Sequence, residues 1–280
     1  MPSRPYDLVM QVRHPDFDLS TSTPHWGDHA EAVTVVNAGG IIPGAIEGYM
    51  IRLMHRVKRE LDPVGDSALL ADIEVFNKQE GQHLRVHNAY LEMLRVGGYP
   101  RIREFEADFA ADLDRFLATE SLAWNLGYSE GFESTGAAMA SAWVDGAIQE
   151  LCGDHGSVPM EIWRWHLAEE FEHRSVVHDV LHRLFGPDEA LALRTAGSDF
   201  GRDHFGNHTA AAAAYMFEID RADLAPAELA ESIERETDAW IGLGLAAGDG
   251  LQWVYRPDYD PSTIAAPLDY DITLARYSAA

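Results

Sequence analysis

The sequence predicts an all-α fold: a four-helix bundle core with additional helices and extended N- and C-terminal arms. Three observations predict it. From Gly44 to about Gln252, apolar residues recur at the steps of three and four that give a helix one oily face. Pro63, Gly97-Gly98-Tyr99-Pro100, Gly153, Pro159 and Gly186-Pro187 cut that stretch into helix-length pieces. Outside it prolines take over, with Pro2, Pro5, Pro15 and Pro24 on one side and Pro257, Pro261 and Pro267 on the other.

Taken in order, residues 1–42 read as an irregular N-terminal arm that ends at Gly39-Gly40. Residues 43–252 read as one helical domain, with helices near 43–61, 66–97, 101–125, 130–152, 158–185, 187–221 and 226–247. The run from Thr209 to Ala214 is alanine-rich and is expected where helices pack closely. Residues 253–280 read as an extended tail over the surface.

A chain of 280 residues can bury a substantial core. Its 46 acidic residues against 21 Lys and Arg give a formal charge of −25, which repels phosphate backbones and anionic lipid. Nucleic acid and membrane surfaces are therefore excluded as partners. No run approaches the roughly 18–20 apolar residues of a membrane span. Met1 to Met10 contains Arg4 and Asp7 without a long apolar run, so no signal peptide is expected and the protein reads as cytoplasmic. The single cysteine, Cys152, can make neither an internal disulfide nor a thiolate metal site, and reads as a small buried residue. No Gly-rich phosphate loop opens a helix, and no Ser-centred nucleophile elbow or dinucleotide fingerprint is present.

The informative residues are polar ones standing where a helix should be oily. On the second helix the steps run Leu69, Ile73, Phe76, Glu80, His83, His87, Tyr90, Leu94. On the helix near 158–185 they run Ile162, His166, Glu170, His173, Val177, Val180, Leu184. The first helix places Glu47 in line with Gly44, Ile51 and Met54, and the helix near 130–152 places Glu133 in line with Ala137, Ala140, Val144, Ile148 and Leu151. A lone ionised carboxylate on a core-facing stripe costs several kcal/mol, roughly, unless something compensates it. Four such placements call for a shared countercharge, and two divalent cations would supply it.

The spacing narrows the choice. Glu80-Gly81-Gln82-His83 and Glu170-Phe171-Glu172-His173 are both Glu-x-x-His, which puts the two side chains one turn apart on one face, within reach of one metal. Two helices giving a Glu and two giving Glu-x-x-His is the pattern of ferritin-like dimetal carboxylate bundles. Glu169 and Glu172 lie on flanking faces, and only Glu170 keeps the i, i+3 relation to His173. Mixed carboxylate and imidazole ligation suits iron, with manganese as the alternative. His87 reads as a ligand, an outer partner of one, or a core histidine. His178 and Asp179 are candidates for orienting a ligand imidazole. His14, His25, His29, His204 and His208 carry no spacing signal, and core packing is the default reading of Met54, Tyr90, Trp163 and Trp165.

With His166 included, the last motif is His-x-x-x-Glu-x-x-His. It resembles the diiron N-oxygenases of the p-aminobenzoate oxygenase type, whose site has an extra histidine one turn before the final Glu-x-x-His. That resemblance implies Glu47, Glu80, His83, Glu133, His166, Glu170 and His173 as ligands. The chain also resembles, from about residue 12 to about residue 220, a broad bacterial family labelled "predicted metal-dependent hydrolase". The matching pieces are Val12-Arg13 with Asp16-Phe17, Gln79-Glu80 with His83 and His87, and Trp165-His166 with Glu169-Glu170 and Glu172-His173. One departure is that the family places a Gly directly before the first ligand, where Ile46 precedes Glu47 here and Gly48 follows.

The resemblance to the N-oxygenases implies two iron ions, O2 as co-substrate, an external electron donor and oxygen transfer to a small organic substrate such as an amine. The rivals are a dimetal hydrolase and a non-enzymatic iron-binding protein. The oligomeric state stays open, with a homodimer among the options.

Overall fold

The computed structural model describes residues 9–278. Pro2 and Pro5, most of the Met1 to Met10 stretch and the last two residues of the tail lie outside the described residues. Among those described, every regular element is a helix. In order they are α1 (Ala30–Gly39), α2 (Pro43–Val57), α3 (Ser67–Val96), α4 (Ile102–Thr119), α5 (Leu122–Val144), α6 (Ala147–Cys152), α7 (Val158–His173), α8 (Val176–Asp220), α9 (Pro226–Ala246), α10 (Gly250–Trp253), a short 3-10 turn (Pro261–Thr263) and α11 (Tyr270–Ala275). None is long and apolar enough to cross a membrane.

Four of them make the bundle. α2 packs on α3, α3 on α7, α7 on α5 and α5 on α2, which closes a ring around one apolar core. α8 lies along α5 outside that ring and also touches α1, α3 and α4. The fit of α8 on α5 depends on glycine. A Cβ on Gly197 would stand 1.9 Å from the carbonyl oxygen of Gly127, and one on Gly131 would stand 2.7 Å from the amide of Ser198. The two backbones therefore touch where side chains would hold other helices 8–10 Å apart, roughly. The alanine run expected at such a contact is not it: Ala212 and Ala213 are buried, but Ala210, Ala211 and Ala214 face solvent.

Local chemistry sets the ends. Ser121 caps α5 by accepting from the Trp124 amide, and Ser157 caps α7 by accepting from the Met160 amide. Gly186 bends α8 with φ 75° and ψ 172°, and Pro187 restarts the helix after it.

Three expectations are corrected. The break foreseen between 125 and 130 falls at Glu120-Ser121, because Ser121 supplies a cap and Gly127 and Gly131 serve the contact with α8. The helix foreseen over 158–185 is interrupted at Arg174, whose guanidinium turns back to the Phe171 carbonyl and also bonds the Pro261 carbonyl. The arm foreseen as irregular contains α1, and the tail contains α11, which packs on α7 with Tyr270 and Leu274 buried.

Candidate metal centre

The bundle brings together all seven residues of the ligand set that the resemblance implies. Glu47 comes from α2, Glu80 and His83 from α3, Glu133 from α5, and His166, Glu170 and His173 from α7. None of the seven is more than 2% exposed. The convergence follows from the 3.6-residue turn: each stripe faces the bundle axis, and the polar members of the four stripes lie at one level of it.

Their donor atoms form two groups. In the first, His166 Nε2 lies 2.9 Å from Glu170 Oε1 and 3.4 Å from Glu47 Oε1, and His83 Nδ1 lies 3.4 Å from Glu170 Oε1. In the second, His173 Nε2 lies 3.3 Å from Glu80 Oε1, 3.3 Å from Glu170 Oε2 and 3.5 Å from Glu133 Oε2. Glu170 thus turns one oxygen to each group. Glu80 does the same, with Oε2 3.8 Å from His83 Nδ1. Glu47, His83, His166 on one side and Glu80, Glu170, His173 on the other are compact enough for each trio to hold an ion.

The atoms left without partners show that cations fit here. Both oxygens of Glu47, Glu80 and Glu133, Oε2 of Glu170, Nδ1 of His83 and Nε2 of His173 are buried and make no hydrogen bond. Buried polar atoms are nearly always paired, so unpaired donors and acceptors gathered in these two groups suit cations. The charges agree. Burial pushes the carboxyls of Glu47 and Glu133 far above the ordinary carboxylate range, and the charges on Glu80 and Glu170 add to the push. Glu80 is raised in the same way, by burial and then by Glu170. Burial acts on Glu170 too, but the charge of His173 and the closeness of the three imidazoles outweigh it and hold that carboxyl well below its ordinary range. Without cations the cluster must keep protons to survive burial; with them it can give those protons up.

Gly136 makes room. It sits one turn after Glu133 on α5, and a Cβ there would lie 3.1 Å from Glu170 Oε2.

A second ring fixes which nitrogen each imidazole offers. The Gln79 amide nitrogen donates to Glu172 Oε2 at 2.6 Å, so its oxygen faces His173 Nδ1 at 3.2 Å; that nitrogen carries a proton, and Nε2 is bare once the ring is neutral. His83 Nε2 donates to Glu169 Oε2 at 3.1 Å, so Nδ1 is the nitrogen turned toward the cluster. His87 Nε2 lies 2.8 Å from His166 Nδ1. Burial, and after it the charge of His83, pulls His166 down to about 4, while burial and the charges of His166 and His83 hold His87 well below its ordinary value. With both rings neutral, His166 can donate through Nδ1 to His87 and offer Nε2 inward.

Arg13 completes the ring from the N-terminal arm. Its guanidinium bonds Glu169 and both oxygens of Glu172 at 3.0 Å. Glu172 also accepts from the Gln11 amide and from the Tyr270 hydroxyl.

Sequence reasoning missed this ring. Glu169 and Glu172 were weighed only as alternatives to Glu170, and they prove to be the anions that orient its neighbours. His87 takes the place of an outer partner. His178 does not: the outer nitrogens of the three imidazoles face Glu169, His87 and Gln79, and His178 bonds Glu130 instead, at 3.2 Å.

Comparison with known proteins places the chain in a family. Residues 11–265 match the family described as "Predicted metal-dependent hydrolase", and the chain belongs to it. The match covers Arg13 and all seven clustered residues. No curated protein and no solved structure matches the chain.

Proposed function

We propose that this member of the predicted metal-dependent hydrolase family is a non-haem diiron oxygenase acting on a small organic substrate. One observation carries the reading: seven buried donors divide into two groups that share Glu80 and Glu170. Two ferrous ions bound there would supply the reducing power and Lewis acidity with which dioxygen is activated, and an external donor would restore them.

The chain's own residues do the rest. Glu47 and Glu133 end the two groups, and Glu80 and Glu170 hold them at a fixed separation. Glu169, His87 and Gln79 hold the outer nitrogens of the three imidazoles, so no ligand ring must rotate before it can bind. Trp165 packs edge-on against His83 at 5.0 Å and Phe76 against His173 at 4.8 Å, which keeps bulk water from the imidazoles. Mixed carboxylate and imidazole ligation from helices suits iron.

The family description favours a second reading, a dimetal hydrolase in which the same residues would hold ions that activate water. One experiment separates the readings. Protein loaded anaerobically with ferrous ion and then mixed with oxygen should show a transient visible absorption band. Turnover of a phosphoester or acyl ester without oxygen, and no such band, would establish the hydrolase. Iron oxidation continuing far beyond two ions per chain would establish a storage protein.

A further inference from the structure

Beside the cluster lies a cavity of about 500 Å³, walled by Met139 and Trp143 of α5, Trp163 of α7, Phe205 of α8, and Trp240 and Leu243 of α9. That size is ordinary for a small-molecule site. Two features tie it to the metal centre. Trp163 stacks on Trp143 at 4.9 Å and on His166 at 6.0 Å, so one indole both lines the cavity and backs a clustered imidazole. Gly136, flanked on α5 by the lining residues Thr135 and Met139, is half-buried and leaves only backbone over the Glu170 carboxylate.

The wall is also selective. Arg202 is its sole charged residue among those described, and its exposed guanidinium is already bonded to Asp199 Oδ1 and the Tyr255 hydroxyl, both at 3.0 Å. A carboxylate brought inside would lose its water and find no free cation. We propose that this chamber is the substrate site of the dimetal centre and that it takes an uncharged, largely apolar, ring-containing molecule rather than an organic anion. This rests on the oxygenase reading for what happens to the molecule, but not for its binding.

Isothermal titration of the full chain, metal-free and iron-loaded under nitrogen, tests it with two probes: 1-naphthol, neutral at pH 7, and 1-naphthoate, its anionic counterpart. 1-Naphthol should bind once per chain, and 1-naphthoate about tenfold more weakly or worse. Leu243→Trp and Met139→Trp, each filling the chamber from a different helix, should abolish 1-naphthol binding without changing iron content. Arg202→Ala should leave 1-naphthol binding unchanged. Tighter binding of 1-naphthoate, lost in Arg202→Ala, would overturn the proposal. So would 1-naphthol binding that survives both filling variants, or that leaves the near-infrared circular dichroism of the ferrous protein unmoved. If the protein takes up no iron yet binds 1-naphthol in a Leu243-dependent way, the oxygenase reading fails and the selectivity of the chamber stands.

Discussion

Two regions of this molecule gather histidine and carboxylate, and they differ in what the donor atoms meet. Around Glu170 the atoms are buried and most lack partners. On the flank, Asp112 of α4 faces His204 and His208 of α8, with Nε2 atoms at 3.2 and 3.1 Å from Oδ2. There each contact is already a hydrogen bond, Arg115 takes the other oxygen of Asp112 at 2.7 Å, and Tyr128 bonds His204 Nδ1 at 2.8 Å. Both regions can be drawn as metal sites from residue types and spacing. What separates them is need: the flank is neutral and satisfied as it stands, while the centre holds four carboxylates that only protons or cations can balance.

The strongest break of this contrast would come at Glu170. Because it serves both groups, Glu170→Ala should remove nearly all of the two ions per chain, whereas Glu47→Ala, at one end, should remove about one; metal analysis after gel filtration reads both. Next is Arg13, which bridges two buried carboxylates. Arg13→Met should lower unfolding free energy by about 3–5 kcal/mol, measured in denaturant, because Glu169 and Glu172 would stay buried without a countercharge. Gly197→Ala tests the α5–α8 contact rather than the centre, and overpacking there should cost about 1–3 kcal/mol with metal content intact.

The smallest effects belong to the flank. His208→Ala should leave the metal content at its wild-type value and cost about 1 kcal/mol, the worth of one hydrogen bond. Burial pulls the Asp112 carboxyl upward, but Arg115, His204 and His208 outweigh it and hold it at about 2, below the ordinary 3.8. A depressed carboxyl stabilises the fold above its unfolded value and loses that contribution as pH falls through its folded value. The gap in thermal midpoint between wild type and Asp112→Asn should therefore be full above about pH 4 and shrink toward pH 2.

Much of this was legible in the chain. Periodicity located the bundle helices because each has one buried and one wet face, and the same periodicity exposed the misplaced glutamates. α1 escaped for the opposite reason: eight of its ten residues, Glu31 to Ala38, are buried, so no stripe exists to be seen. The outer ring escaped because Arg13 and Glu172 are joined by no local spacing, only by the fold. The gap expected between 125 and 130 holds Gly127, and only the nearness of α8 reveals why Gly127 and Gly131 lie inside one helix. His204 and His208, set aside as carrying no signal, are four apart and do share a face, a relation that gains meaning only once Asp112 stands opposite.

The carboxylate of Glu172 is reached from both sides of the sequence, by Arg13 and by the hydroxyl of Tyr270 on α11. A nascent chain with residue 270 still inside the ribosome can form the arginine contact but not the tyrosine one. The collar behind Gln79 and His173 is then closed only after residue 270 has left the ribosome, and the interval before α11 docks leaves that flank of the site open.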